Sequence, residues 1–188
     1  MNKDIKRWLE KDGTRFLKDI GIKEGQTVLD FGCGEGHYAI PAAKVVGRQG
    51  KIYALDKDRS ALDKLKSMME ESSIKNIVLI NENSKVPLGN NSLDVVLCFD
   101  VIHYGNKKER KLVYEEIHRV LIKDGLFSVY PKHRKEDYPL MELADTNLKS
   151  IVKEIQETGF ILDRKFSKTL LHDDCYNEGY TLNFKKEA

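Results

Sequence analysis

The sequence predicts an α/β fold, a largely parallel sheet with helices on both faces, from three observations. Short β-branched runs alternate with amphipathic helical patterns through roughly the first 130 residues. Those runs are continuously apolar, as strands buried on both faces are. A glycine-rich turn joins the first run to the helical pattern after it, and strand and helix in alternation imply a parallel sheet.

Residues 3 to 20 carry Ile5, Trp8, Leu9, Phe16 and Leu17 at roughly helical spacing, interrupted by Asp12-Gly13. A helix or broken helix packed over the sheet is expected there. Strands are predicted at TVLDF (27 to 31), KIYALD (51 to 56), IVLI (77 to 80), LDVVLCF (93 to 99) and LFSVY (126 to 130). Pro41 lies inside the helix expected after Gly36, so it should kink that helix or sit near its first turn. Val113, Ile117, Val120 and Leu121 mark one helical stripe, and Leu148, Ile151, Val152 and Ile155 mark another. Residues 131 to 147 show no clear period. At the end, ILDRKFSKTLLH and GYTLNFKK flank the polar stretch HDDCYNEG with no helix between, which predicts an antiparallel hairpin.

A chain of 188 residues suits one compact core, and a single domain over 1–188 is expected, with 1–20 a helical cover and 21–188 the sheet core. Lys and Arg total 32 against 30 Asp and Glu, a formal +2. That balance leaves no field to attract a polyanion, so no nucleic acid is expected as partner. The basic runs 107–111 and 132–135 read as solvated faces. The opening MNKDIKRWLEKDG has no apolar leader core, and no stretch approaches about 18 uninterrupted apolar residues. A cytoplasmic protein without a membrane span is the expectation. Cys33, Cys98 and Cys175 are far apart and form no CxxC or Cys/His cluster, and His37, His118, His133 and His172 fit no ligand spacing. No metal is expected.

The chemistry concentrates in VLDFGCGEGHY, where an apolar strand runs into Asp30 and then Gly32, Gly34 and Gly36. Glycine suits a sharp turn that must approach a ligand, because a Cβ would obstruct it. Strand, glycine turn and helix together make a cofactor cradle. The spacing is GxGxG, with His37 where the dinucleotide fingerprint GxGxxG needs its last glycine. The second strand ends in Asp56, a carboxylate placed to accept ribose hydroxyls of an adenosine-containing cofactor.

VLDFGCGEG followed by an acidic strand end resembles class I S-adenosylmethionine-dependent methyltransferases. NENSKVPLGNNSLDVVLCFDVIHYG resembles the segment these enzymes carry around their third and fourth strands, and RVLIKDGLF their entry to the fifth. The similarity spans about residues 25 to 130, and the quinone-biosynthesis C-methyltransferases look the nearest subgroup. It implies a Rossmann-like, three-layer α/β sandwich with a seven-stranded sheet of order 3-2-1-4-5-7-6, mostly parallel with the last strand antiparallel. It also implies S-adenosylmethionine as cofactor and S-adenosylhomocysteine as product.

Carried over by position, the resemblance implies that Phe31, Gly32, Cys33 and Gly34 face the methionine part, with Gly36 completing the turn and Asp30 helping to hold the ammonium group. Asp56 takes the ribose and Lys57 lies beside the adenine. Glu82 accepts from the adenine amino group and Asn83 supplies a backbone N–H, with Asn81 in place of a usual glycine. Phe99, Asp100 and Val101 lie beside the methionine chain and the methyl group. Asp100, His103 and Tyr104 are the acceptor-side candidates; the alternative reading of His103 and Tyr104 is a satisfied loop histidine and a packing tyrosine. Cys33 reads as structural, since no histidine is placed to activate it, and Asp94 likewise. Trp8 and Phe16 are expected as apolar walls of an acceptor site covered by residues 1–20 and 131–147. The acceptor itself is expected to be a small molecule. Two other readings are a non-catalytic S-adenosylmethionine-binding module and a nicotinamide-dependent dehydrogenase, the latter opposed by GxGxG and by the absence of a second substrate domain.

Overall fold

A computed structural model describes residues 2–134 and 146–187. Seven strands form one sheet in the order β3-β2-β1-β4-β5-β7-β6. They are β1 Thr27–Phe31, β2 Lys51–Asp56, β3 Ile77–Asn81, β4 Leu93–Phe99, β5 Leu121–Tyr130, β6 Phe160–His172 and β7 Cys175–Lys186. The first five pair in parallel, and β7 runs antiparallel to both β5 and β6. The three-layer order implied by the resemblance is the order observed.

Helices α1 Lys3–Arg7, α2 Gly13–Ile20, α3 Ala39–Val46, α4 Arg59–Glu71, α5 Lys107–Val120 and α6 Leu148–Gln156 connect or precede the strands. One apolar cluster joins Trp8, Phe16, Leu17, Ile40, Val46, Leu62 and Leu65 to the sheet residues Val28, Ile52, Val95 and Leu97. A second, on the opposite face, joins Tyr114, Ile117, Ile151 and Ile155 to Leu29, Val96, Phe127 and Phe184. Alternate residues of β1 and β4 therefore feed opposite cores, which is why both runs are apolar at most positions.

Several local expectations need refinement. The N-terminal helix is not broken at Asp12-Gly13: a π-helical segment, Trp8–Asp12, links α1 to α2. A Cβ at position 13 would lie 2.8 Å from Pro41 Cγ and 2.9 Å from Trp8 Nε1, so glycine permits the approach of α3 there. Pro41 occupies the first turn of α3, one of the two outcomes expected of it. Strand β5 starts earlier than predicted, at Leu121, with an irregularity between the pairs Leu93↔Leu121 and Val95↔Leu126. Asp124 takes φ 60° within it, a conformation that Asp tolerates better than most residues. The terminal hairpin is tighter than predicted, because pairing continues to His172↔Cys175 and only Asp173 and Asp174 remain in the turn.

Asp94 is structural, accepting from Thr27 N–H at 2.7 Å. A buried polar link joins the antiparallel half of the sheet to the N-terminal helix. Ser128 Oγ donates to Asn183 Oδ1 at 2.8 Å, and Asn183 Nδ2 donates to the Ile20 carbonyl at 2.8 Å. Asn183→Ala leaves a buried hydroxyl without its acceptor and removes the shorter of two bonds to the Ile20 carbonyl, the other coming from Arg164 Nη2 at 3.4 Å. It is expected to cost about 2–4 kcal/mol, read by urea unfolding; a loss under about 1 kcal/mol would show that the link is dispensable.

Candidate active site

The carboxyl edge of the parallel strands opens into a cleft of about 700 Å³, within the roughly 300–1,000 Å³ typical of small-molecule sites. Its walls come from the turn after β1, the end of β2, the loops after β3 and β4, the first half of α5 and the tip of the β6–β7 hairpin.

The turn after β1 has all three glycines at positive φ, 75°, 51° and 88° for Gly32, Gly34 and Gly36. Their surroundings differ. A Cβ at Gly36 would lie 2.3 Å from Leu65 Cδ1, so this glycine lets α4 pack closely. At Gly34 a Cβ would meet nothing within 4 Å, and this residue lines the cleft. Backbone N–H groups of Gly32 and Cys33 donate to the Leu55 carbonyl at 2.8 and 3.0 Å. Gly34 N–H donates to Asp56 Oδ2 at 2.7 Å, and Asp56 Oδ1 accepts from Asp58 N–H at 2.8 Å.

Asp30 is almost wholly buried, and its Oδ2 has no hydrogen-bond partner among the described residues. Burial, with the negative charge of Asp56 adding to it, raises the Asp30 carboxyl to about 7. Cys33 lines the cleft as a buried thiol whose pKa burial pushes strongly upward, the opposite of what an activated nucleophile needs.

Of the residues singled out in the sequence, Phe31, Gly32, Cys33, Gly34, Asp56, Lys57, Asn83, Phe99, Asp100 and Val101 line the cleft. Asp30 and Gly36 are buried and do not line it. Glu82 is exposed and lies off the wall, whereas Asn83 and Ser84 lie on it. Asn81 binds the loop after β2, its Nδ2 donating to the Asp56 and Lys57 carbonyls at 3.0 and 3.1 Å.

The acceptor side differs from expectation. Trp8 is fully buried and Phe16 nearly so; neither lines the cleft. They back the residues that do, through edge contacts of Phe16 with Phe99 (5.9 Å between centroids) and of Trp8 with Tyr38 (5.3 Å). The N-terminal segment is therefore part of one core, and a truncation there removes packing along with any cover. Most of 131–147 lies outside the described residues. His103 is also buried, with Nδ1 3.3 Å from Asp100 Oδ1; it reaches the cleft through Asp100. Tyr104 ends a short 3₁₀ turn, Ile102–Tyr104, and its side chain lies outside the described set. Arg110 clamps this loop, bonding the Gly105 carbonyl at 2.8 Å and both Glu154 oxygens at 2.9 Å.

Sequence spacing missed one grouping. Asp100, His133 and His172 bring ligand-type atoms together within 4.8 Å. His133 and His172 are 39 residues apart in the chain, so no local motif could announce them. The absence of ligand spacing along the sequence thus does not carry over to space.

Residues 22–173 match the family model described as a methyltransferase domain. A demethylmenaquinone methyltransferase of Oceanobacillus iheyensis is 30% identical over 112 residues, 58% of this chain and 45% of that protein. The chain thus spans about half the length of the curated relatives it matches. A SAM-dependent methyltransferase from Aquifex aeolicus has a TM-score of 0.76 at 25% identity, covering 96% of this chain and 93% of that one. The cyclase SpnF has the same fold, with a TM-score of 0.75 at 14% identity over 95% of this chain and 85% of its own.

Gly36→Ala, which adds a clash to the strain of a left-handed backbone, should destabilise by about 2 kcal/mol or more, and Gly34→Ala by about 1 kcal/mol from strain alone. Equal losses in chemical denaturation would show that Leu65 gives way freely. Between pH 3.8 and about 7 the folded protein holds a proton on Asp30 that the unfolded chain has released, so this group lowers stability as pH rises through that window. Asp30→Asn should therefore stabilise the ligand-free protein, and by about 2 kcal/mol more at pH 8 than at pH 5. A pH-independent difference would remove Asp30 from this role.

Proposed function

The chain belongs to the methyltransferase domain family, and from that premise we propose that its cleft binds S-adenosylmethionine and that the protein transfers the methyl group to a small-molecule acceptor. The observation that carries the proposal is the pairing of Gly34, open to the cleft where a Cβ would meet nothing, with the buried Asp30 Oδ2 that has no hydrogen-bond partner among the described residues. A cradle for a ligand chain thus adjoins a carboxylate able to take its ammonium group.

Asp56 keeps acceptor capacity beyond its two backbone N–H bonds, since a carboxylate offers about four lone-pair sites; we assign it the ribose hydroxyls. Lys57 and Asn83 flank the adenine, with Glu82 beside them at the rim. Phe31, Gly32, Cys33, Phe99 and Val101 enclose the methionine chain, and Asp100 borders the methyl group. Gly36 sets the helix behind the turn. The cofactor, when bound, supplies a methyl group on a positively charged sulfur that is a good leaving group. What the chain supplies is alignment and exclusion of water by Tyr38 and Phe99, which meet edge to face with centroids 4.7 Å apart.

The same proposal takes residues 1–188 as a single methyltransferase domain, with the N-terminal helical segment part of its core. Cytoplasmic placement goes with it, supported by Cys33 and Cys98 as buried free thiols. No described helix is long and apolar enough to cross a membrane.

Titration calorimetry should give one shared site for S-adenosylmethionine and S-adenosylhomocysteine. Asp56→Ala should weaken both by about 1–3 kcal/mol, the scale of hydrogen bonds to a charged acceptor. No heat with either ligand, or a nicotinamide cofactor binding instead, would overturn the reading. Release of S-adenosylhomocysteine with members of a small-molecule acceptor panel tests the transfer itself; tight binding without release from any of them would favour the non-catalytic binding module.

A further inference from the structure

The geometry points to a divalent transition-metal site, of the type that takes Zn²⁺, formed by Asp100, His133 and His172 at the acceptor end of the cleft. The three groups come from the loop after β4, the segment after β5 and the end of β6. His172 Nε2 lies 2.9 Å from Asp100 Oδ2 and 3.3 Å from His133 Nε2, and His133 Nε2 lies 3.4 Å from Asp100 Oδ1. Ligands held about 2.0–2.1 Å from one ion are separated by about 3.3–3.5 Å in a tetrahedron and about 2.9 Å at neighbouring octahedral positions. The observed separations lie in the range of these edges, with His172 facing one Asp100 oxygen and His133 the other.

Hydrogen bonding alone accounts for less. His172 Nε2 faces both Asp100 Oδ2 and His133 Nε2, and a single proton on it can bridge only one of those gaps. A cation can take one lone pair from each of the three groups at once. The surroundings also have the form of an outer ligand shell. The carboxylate of Asp173 stands 3.6 Å from the far ring nitrogen of His172, beyond hydrogen-bond length but on the side where carboxylates orient metal-bound imidazoles. His103 Nδ1 stands 3.3 Å from Asp100 Oδ1, placed to orient that carboxylate.

The backbone contributes a second, independent observation. Asp100 and His133 both adopt left-handed conformations, with φ 59° at each. Such conformations cost free energy in residues other than glycine and collect where a side chain must be aimed. The aim here is shared, since both side chains point at His172.

Two imidazoles and one carboxylate suit Zn²⁺ or its first-row neighbours; Mg²⁺ and Ca²⁺ prefer oxygen-rich sets. Three protein ligands leave at least one position open. Asp100 and His172 line the cleft while His133 stands behind them, so the open position faces the space beside Phe99 and Val101. The metal site rests on this geometry alone. Its use, binding an oxygen, nitrogen or sulfur donor of the acceptor next to the methyl group, rests on the methyl-transfer reading above.

Protein stripped with a chelator and dialysed is titrated with Zn²⁺ in competition with a chromophoric chelator, and with Co²⁺ for its visible absorption band. One ion per chain is expected. Asp100→Ala, His133→Ala and His172→Ala should each weaken it by about 10-fold or more, and His118→Ala, at the far end of α5, should not. Circular dichroism checks the fold, and His133→Asn, whose polar side chain is too short to reach the Nε2 position, should lose the Co²⁺ band as His133→Ala does. Zn²⁺ affinity unchanged by all three alanine substitutions, or no Co²⁺ band in the folded wild type, would overturn the site. S-adenosylmethionine calorimetry on the same samples separates the two claims: Zn²⁺ bound without the cofactor removes the methyl-transfer reading and leaves the metal, and the cofactor bound without Zn²⁺ does the reverse.

Discussion

The turn after β1 is held in place from β2. Gly32 and Cys33 donate to the Leu55 carbonyl, and Gly34 donates to the Asp56 carboxylate. These bonds take backbone donors that a left-handed glycine turn would otherwise leave to water, and they fix the turn against the neighbouring strand end. The rest of the site follows from that attachment. With the turn fixed, Gly36 sits under Leu65 and sets the depth of α4, while Val101 closes over Gly32, where a Cβ would lie 2.4 Å from Val101 Cγ2. A shift at Asp56 would therefore reach the floor of the cleft and both of its walls.

The strands were legible because their physics is local. A parallel strand buried on both faces is apolar over most of its length, and TVLDF, KIYALD and LDVVLCF are observed over the residues predicted. Strand β5 was read only in part. Its opening residues are separated from LFSVY by Ile122, Lys123, Asp124 and Gly125, a polar excursion that reads as a turn, and the pairing of Leu121 with Leu93 is a long-range fact. The same limit hid the true length of the hairpin. Asn177 and Glu178 look like loop residues, yet pairing with Leu170 and Thr169 holds them in strand.

The site divides along the same line. Asp30, the glycines and Asp56 stand on one contiguous motif and the next strand end, so spacing could find them. Trp8 and Phe16 were read as apolar and helical, but periodicity does not say whether an apolar ring faces a ligand or another ring. The π-helical segment turns Trp8 inward, where its Nε1 donates to the His37 carbonyl at 2.8 Å. The Asp100, His133 and His172 grouping was invisible for a further reason: its members follow β4, follow β5 and end β6, and only the strand order β4-β5-β7-β6 brings them together.

Asp30 and the histidine grouping bear on stability in opposite ways. A buried carboxylate without a partner for Oδ2 destabilises the ligand-free fold, and its neutralisation by a bound cationic group is then part of the binding free energy rather than an addition to it. Asp100 instead has polar partners within the protein, His172 Nε2 and His103 Nδ1 at 2.9 and 3.3 Å. The first carboxylate is suited to drawing a ligand in, and the second to staying where it is placed. Methyl displacement needs both behaviours within one cleft: a cofactor held by affinity at one end and a fixed acceptor geometry at the other. The alignment that accelerates an in-line displacement is lost if either partner moves by about 1 Å. The strained Asp100 backbone therefore fits a residue whose position matters more than its own contribution to folding.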